Sequence, residues 1–428
     1  MRKVLFVGMI FLTFILFPHK NLAATENELT VENFTLLIRR DANSEAEPLR
    51  NVKVNIYGVN SETSERYLLK TIEKCDSNGT ISTEKLTTPK RIDQVQFQYY
   101  FGNDDQGYII SLRNYRYNAN HTRNIPANRV INTIRTTSIY GSTLDAEFYS
   151  KITRLSNVYR DIYQDQKLAI EKARPYINTA QVDFKPINII YDDALDIPGG
   201  GFNRYGHGEY IKEPILALST KNIVDFRAAV AHEWAHWNMY RVNGMPGGSY
   251  QTHYDQVNPY VSYKEGWALF QRHRYTCGLE NELANEAQVQ NDKRLYGMST
   301  NFTVKGALYD IYDMNFPRNQ QIENDELDIY TAFVNGNHSL EDKDLISEGI
   351  MYTLMVNSKA STFQEFYTYL MNNYISNHAD KTLKGKLENS VGLNGINTDG
   401  SFKYSNNLKN YSSKIEDFEL GEQMVEGD

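Results

Sequence analysis

Two histidines one helical turn apart, with a glutamate between them, are the residues of this chain best suited to do chemistry. They lie in the stretch HEWAH at 232–236. At positions i and i+4 of a helix, two imidazoles share one face and can bind the same metal ion. Glu233 lies about 100° round the helix from His232, where a general base for a zinc-bound water is needed. The alternative is an ordinary helix whose histidine pair is satisfied by solvent or by the core. The small residues Ala231 and Ala235 favour the metal site, because they let neighbouring elements approach closely.

The helix that carries this motif is predicted to run from Asn222 to Gly244. Asn222 is a favourable N-cap, and Gly244 can adopt the left-handed conformation that ends a helix. Apolar residues recur at spacings of three and four along it, namely Phe226, Val230, Trp234 and Trp237. The pattern predicts an amphipathic helix that buries its aromatic side.

A zinc site needs a third protein ligand and leaves its fourth position to water. Glu265, 29 residues after His236, is the preferred candidate. We expect it in the first turn of a second helix that Ser262 caps. His253 and Asp255 compete for the role, but they lie in a polar loop rich in glycine and tyrosine. Because metal ligands are best held on rigid elements, the sequence favours Glu265.

HEWAH followed by KEGWA at 264–268 resembles the gluzincins, the thermolysin-like zinc peptidases that combine HExxH with a downstream EGxA. The resemblance covers roughly residues 184–313 and a helical part after them. It implies that His232, His236 and Glu265 bind Zn²⁺, and that Glu233 acts as the general base in peptide hydrolysis. The metzincin continuation HExxHxxGxxH is missing, since Met239 takes the place of its glycine.

The chain departs from the thermolysin pattern at Leu269, where those enzymes carry an aspartate that orients a ligand histidine. Asp310 and Asp313 are candidates for that role. The oxyanion of the reaction also needs a donor, and the candidates are Tyr309, Tyr312, His253 and Tyr260. We favour Tyr309 and Tyr312 because they neighbour the two aspartates, although each could equally be an aromatic core residue.

The first 24 residues read as a secretory signal, with a basic start, an apolar run and a small-residue cleavage site. No other segment is apolar for about 20 residues, so we expect a secreted protein without a membrane span.

Loss of three basic residues with the signal would change the formal charge from −8 to −11. That charge argues against nucleic acid as a partner. The expected partner is a peptide or protein substrate, and the oligomeric state stays open. The two cysteines, Cys75 and Cys277, are expected to be unpaired.

The fold class predicted is multidomain α+β. Residues 25–139 carry β-branched and aromatic runs with period-two alternation, which predict an all-β sandwich. Their pattern resembles the transthyretin-like or carboxypeptidase-regulatory sandwich. Residues 140–414 are predicted to form a mostly helical zincin-type domain with a small β-sheet, followed by an acidic, disordered tail at 415–428.

Two segments just before the motif helix bear on substrate binding. Residues 211–218 are predicted to form an edge strand, which Pro214 would suit, and Gly199–Gly201 a flexible loop. An exposed strand edge at this place can pair with an extended peptide.

Two other functions compete with the peptidase. One is a zinc-binding but inactive surface or adhesion protein in which the sandwich is the working part. The other is a zinc hydrolase that acts on something other than a peptide. The intact Glu233 argues against an inactive protein. If activity had been lost in evolution, the general base would be expected to change first.

Overall fold

A computed structural model describes sixteen parts of the chain. They are residues 28–31, 34–35, 37–38, 47–81, 84–87, 92, 94–110, 120–126, 143–183, 185–192, 200–203, 214–219, 226–244, 257–276, 292–312 and 329–404. Within them, helices and sheets occur together, which confirms the general α+β class. The division at residues 139/140 stays a prediction.

Strands dominate the first part of the chain and helices the second. The strands are β1 Glu28–Val31, β2 Phe34–Thr35, β3 Leu37–Ile38, β4 Glu47–Pro48, β5 Val54–Asn60, β6 Glu65–Ile72, β7 Thr80–Ile81, β8 Glu84–Thr87, β9 Gln94–Tyr100, β10 Gly102–Asn103, β11 Gly107–Ile110, β12 Asn120–Pro126, β13 Asn188–Asp192, β14 Gly200–Asn203 and β15 Ile215–Ser219. The helices are α1 Thr143–Ala173, α2 Phe226–Asn243, α3 Pro259–Thr276, α4 Asn301–Tyr312, α5 Ile329–Phe333, α6 Leu340–Ser358, α7 Phe363–Leu370 and α8 Leu383–Gly392, with a π-helical segment at Met371–Ile375 after α7.

An antiparallel sheet of order β12-β9-β5-β6 forms the main part of the N-terminal β region. Burial alternates along β5 and β9, so that Val54 and Ile56 face the same core as Val95 and Phe97. This is the period-two pattern that the sequence predicts. Three two-stranded ladders, β1-β8, β2-β7 and β3-β4, accompany the sheet. The sandwich arrangement itself stays a prediction.

A second sheet of order β10-β11-β13-β15-β14 lies beneath the motif helix. Strands β11, β13 and β15 run parallel, and β14 pairs with β15 in antiparallel fashion. The prediction of an edge strand at 211–218 was wrong, because β15 lies between β13 and β14. Two of the glycines expected in a flexible loop instead belong to β14, where Gly200 pairs with Leu218 and Gly201 with Ala217. Gly199 lies outside the described residues.

The second sheet joins the β region to the helical part. Strand β11 precedes the predicted boundary, yet Ile109 and Ile110 pair with Ile189 and Ile190 of β13. A fully buried arginine of α1 strengthens this junction. Arg160 donates to Gln106 Oε1 at 3.0 Å and to the Gly107 carbonyl at 3.3 Å. The two parts therefore share hydrogen bonds and one hydrophobic core.

A second core holds the helices together, and glycines set two of its closest contacts. A Cβ on Gly266 of α3 would lie 2.5 Å from the Val304 side chain of α4. A Cβ on Gly349 of α6 would lie 2.0 Å from the Ala169 carbonyl oxygen of α1. Since atoms cannot approach that closely, these helix pairs pack at distances that only glycine allows.

No helix in the described ranges is long and apolar enough to cross a membrane. Cys75 is a free, buried thiol whose Sγ accepts from the Val52 amide at 3.3 Å. Burial raises the pKa of this thiol. Cys277 lies outside the described residues, as do the predicted signal at 1–24 and the acidic tail at 415–428.

Candidate metal centre

Helix α2 carries the HExxH motif and packs its aromatic side against the second sheet and α1. The predicted stripe is buried, and Trp234 is fully so. The indole of Trp234 donates to Gln166 Oε1 of α1 at 2.6 Å, and its ring meets Tyr159 edge-on at 5.6 Å. Gly244 ends the helix with a φ of 58°, as predicted, and its amide donates to the Tyr240 carbonyl. The predicted N-cap, Asn222, lies outside the described residues.

Helix α3 begins at Pro259, four residues before position 263, where an N-cap at Ser262 would have started it. Pro259 occupies the first turn, where its missing N–H costs nothing, and Asn258 Oδ1 accepts from the Tyr260 amide at 2.9 Å. Ser262 therefore does not cap this helix. It lies inside the first turn, and its hydroxyl bonds to the Pro259 carbonyl. Glu265 consequently lies in the second turn, where helical hydrogen bonds fix the backbone before and after it.

The two helices bring three ligand atoms to one point. His232 Nε2 and His236 Nε2 lie 3.0 Å apart. Glu265 Oε2 lies 3.0 Å from His236 Nε2 and 3.4 Å from His232 Nε2. All three side chains are 1% exposed, so the group is enclosed by protein rather than solvated. These residues could hold a metal ion.

The spacing of these atoms fits a small tetrahedral cation. Ligands about 2.0–2.1 Å from a tetrahedral ion lie roughly 3.3–3.4 Å from one another. The observed separations of 3.0, 3.0 and 3.4 Å come close to that edge length. Without a cation, two imidazole nitrogens and a carboxylate oxygen would turn their lone pairs toward one point. At most one or two protons could relieve that repulsion, whereas a divalent ion relieves it for all three atoms.

The protonation states follow from burial and from neighbouring charge. Burial lowers the pKa of His236, so its imidazole is neutral at pH 7 and offers a lone pair. Burial alone would raise the pKa of Glu265, but His236 and Lys264 outweigh it and hold that pKa well below its ordinary value. The effect of His236 requires a protonated ring, which burial disfavours. We therefore attribute the ionised carboxylate chiefly to Lys264.

Lys264 is the charged neighbour of this group that sequence reasoning missed. Its side chain is 8% exposed, and its Nζ lies 3.1 Å from Glu265 Oε1. Oε1 has no hydrogen-bond partner among the described residues. The contact between the ammonium group and this oxygen is therefore Coulombic rather than a hydrogen bond. The sequence did show that Lys264 and Glu265 are the two charged residues of a mainly apolar and aromatic stretch, YKEGWALF at 263–270. A lysine there must bury its charge or find an anion.

Glu233, the predicted general base, lies on α2 beside His232 and is 1% exposed. Its position in the helix turns it away from the shared face of His232 and His236 by about 100°. A buried carboxylate next to two ligand histidines has the chemistry that a proton acceptor requires. Its role as base stays a prediction.

The two tyrosines favoured as oxyanion donors lie on α4, within the helical core. Tyr309 donates to the Phe270 carbonyl at 3.2 Å, and Tyr312 donates to Asp344 Oδ1. These two hydrogen bonds go to α3 and α6 rather than to the histidine–glutamate group. Their catalytic role stays a prediction that these contacts do not support.

The predicted orienting acid is likewise engaged elsewhere. Asp310 accepts from Asn394 Nδ2, which follows α8. Within the described ranges, His236 Nδ1 has no hydrogen-bond partner. Asp313 and the competing ligands His253 and Asp255 lie outside the described residues.

No protein-family model matches the chain, and no curated protein is significantly similar to it. The candidate site is therefore described from the structure alone. It is a buried group of two histidines and one glutamate that could hold a metal ion.

Proposed function

We propose that this chain is a secreted, zinc-dependent peptidase. His232, His236 and Glu265 bind the zinc ion, and Glu233 is the general base. Two imidazoles and one carboxylate are a ligand set of catalytic zinc sites, which keep a fourth position for water. Nitrogen ligands of intermediate softness also suit zinc better than calcium or magnesium, which take oxygen ligands.

One observation carries the proposal. Three potential ligands from two helices converge within 3.0–3.4 Å of one another, all of them buried, beside a fourth buried acid at Glu233. A histidine pair that merely packed in a core would not need an ionised carboxylate against both rings. Placing that carboxylate there costs desolvation energy, which Lys264 offsets at Oε1 and a metal ion would offset at Oε2.

The division of labour among the residues follows from their positions. When bound, zinc supplies Lewis acidity toward a water molecule and the scissile carbonyl. Glu233 accepts the proton of the attacking water and returns it to the leaving amine. Lys264 faces Oε1 of Glu265, so Oε2, which faces the two histidines, is the oxygen that would hold the metal.

The substrate would lie along β14, the outer strand of the second sheet. No described strand pairs with the free edge of β14. Phe202 of β14 packs against Trp237 and Tyr240 of α2, with ring centroids 6.0 and 5.3 Å apart. An extended peptide added to this edge would therefore run beside the motif helix, in the manner of β-augmentation.

Glu233→Gln tests the proposal. The substitution keeps the side-chain volume but removes the proton acceptor, so peptide turnover should fall by ~10²–10⁴. Zinc content and melting temperature should barely change, because Glu233 is not a ligand. Glu341→Gln, on the first turn of α6, is the matched control and should keep full turnover.

Turnover is measured by mass spectrometry of a peptide library, with and without chelator, on one preparation of each variant. Equal turnover in the wild type and in Glu233→Gln would rule out Glu233 as the base. A zinc-loaded wild type that cleaves no peptide in a broad library would contradict the peptidase and favour a zinc-binding protein without activity.

A further inference from the structure

A polar pocket lies on the opposite side of α3 from the metal centre. Its volume is about 690 Å³, within the range of roughly 300–1,000 Å³ that is usual for ligand pockets. Its walls come from the start of α3, from α7 with the π-helical segment, and from the turn near residue 401. Single π-helical turns occur frequently at functional sites.

The position of the pocket follows from the faces of α3. Tyr263 and Trp267 pack on Phe366 of α7, with ring centroids 6.0 and 6.4 Å apart. Tyr260 precedes Tyr263 by three residues and so lies on that same face. Glu265 lies about 140° round the helix from Tyr260 and about 7.5 Å along it, toward α2. The pocket is therefore a site separate from the metal centre.

The chemistry of the lining excludes several ligands. Glu365 is the charged residue among the lining residues, and no described one is a lysine, arginine or histidine, so an anionic ligand would meet no countercharge. A metal cation would find a single carboxylate in the lining, one oxygen of which already accepts from the Ser361 amide at 2.7 Å. The walls are helices and a turn rather than a strand edge, so an extended peptide finds no backbone to pair with.

What the pocket offers is aromatic rings together with neutral hydrogen-bonding groups. Tyr260 is 39% exposed, and Tyr369 lines the pocket from α7. Amides and hydroxyls complete the lining at Gln364, Thr368, Asn372 and Asn373. Tyr369 packs edge-on against Tyr374 at 6.0 Å, and Asn373 Nδ2 donates to the Tyr369 carbonyl at 2.8 Å. The Tyr369 side of the pocket is thus supported by its neighbours before any ligand binds.

We propose that this pocket binds a neutral saccharide. A pyranose ring has an apolar C–H face that can stack on a tyrosine, and a rim of hydroxyls that both donate and accept hydrogen bonds. Asparagine and glutamine amides supply donors and acceptors to such hydroxyls, and the carboxylate of Glu365 supplies a further acceptor. This site does not depend on the peptidase activity proposed for the metal centre.

Titration calorimetry with three neutral trisaccharides, cellotriose, maltotriose and triacetylchitotriose, tests the proposal on the full-length protein. At least one should bind, and it should bind equally well after the metal is removed with chelator, provided that circular dichroism shows the protein still folded. Tyr260→Ala should weaken binding roughly two- to tenfold, the size of an aromatic contact, and Tyr260→Phe should restore most of it. Tyr404→Ala removes an exposed tyrosine outside the pocket and should leave affinity unchanged.

Asn372→Ala is the second variant, because this exposed amide makes no hydrogen bond to the described residues and its loss should not disturb folding. It should also weaken saccharide binding several-fold. Absence of binding by all three trisaccharides would overturn the proposal. So would saccharide binding that neither Tyr260→Ala nor Asn372→Ala affects, or tighter binding of a neutral hexapeptide of alanine and asparagine at this pocket.

Discussion

His236 Nε2 and Glu265 Oε2 lie 3.0 Å apart, although 29 residues separate them in the chain. The contact exists because α2 and α3 pack side by side and each presents a polar side chain within an otherwise apolar interface. Both side chains are 1% exposed, so water contributes almost nothing to their solvation. The carboxylate faces two imidazoles through one oxygen and a lysine through the other, in a group that could hold a metal ion.

Removal of Glu265 should empty the metal site. We expect Glu265→Ala to lose most of its zinc after dialysis against a mild chelator, because two histidines alone form an incomplete site. Metal analysis of the purified protein measures this. His253→Ala should retain zinc near the wild-type level. If His253→Ala empties the site and Glu265→Ala does not, the ligand set proposed here is wrong.

Gly266 should matter for zinc even though it carries no ligand atom. A Cβ at this position would lie 2.5 Å from the Val304 side chain, so Gly266→Ala should push α4 away from α3 beside Glu265. Overpacking of this kind costs about 1–3 kcal/mol. We expect a lower unfolding midpoint and a weaker zinc affinity, measured by competition with a chelating dye.

Gly385→Ala is the matched control for that substitution. Gly385 lies within α8, and a Cβ there would meet no atom within 4 Å. Alanine in an open helical position should stabilise the protein by about 0.5–1 kcal/mol. Unchanged stability and zinc affinity in Gly266→Ala would show that the α3–α4 contact does not position Glu265.

A buried ion pair in the helical core should make stability depend on pH. Arg274 of α3 donates to Glu348 of α6 at 2.5 Å, and both side chains are nearly inaccessible to water. Burial raises the pKa of Glu348 to about 7, and Arg274 opposes that rise. The unfolded chain therefore gives up this proton at lower pH than the folded protein does. The contribution of Glu348 to stability is complete below about pH 4.5 and declines as the pH rises toward 7.

Arg274→Met should extend that decline to higher pH. Without Arg274 the folded pKa of Glu348 rises further, so the variant should keep losing stability above about pH 8, where the wild type, with a folded pKa of about 7, levels off. The slope can reach about 1.4 kcal/mol per pH unit for one proton. Urea unfolding between pH 5 and pH 9 measures it. The double variant Arg274→Met, Glu348→Gln should show no such slope, and a slope that persists in it would have to come from another group.

The junction between β11 and β13 should couple the β region to the metal centre. Gly107 has a φ of 88°, and a Cβ there would lie 2.2 Å from the Ile187 carbonyl oxygen. Gly107→Ala should therefore weaken the strand pairing. If the chain unfolds as one unit, the midpoints from circular dichroism and from tryptophan fluorescence should fall together. Two separate transitions, of which only one shifts, would instead support independent domains on either side of residue 139.

The local elements of the site could be predicted because local rules govern them. The spacing of His232 and His236 places them on one face of any helix, and Gly244 ends α2 in the left-handed conformation that the sequence indicated. The alternating burial of side chains along β5 and β9 could likewise be predicted from residue types alone. The start of α3 was predicted four residues too late, because both Asn258 and Ser262 can cap a helix. Which of the two does so depends on contacts outside the segment.

The sequence by itself determined which residues could bind a metal, since residue type and helical period are properties of short segments. Only the tertiary structure decided which of them meet. It brought Glu265 to the histidine pair, set Lys264 against the same carboxylate, and turned the hydroxyls of Tyr309 and Tyr312 toward other acceptors. It also made β14 rather than β15 the outer strand of the second sheet. These outcomes depend on how helices and strands distant in the chain pack together, and packing is a property of surfaces that no single segment contains.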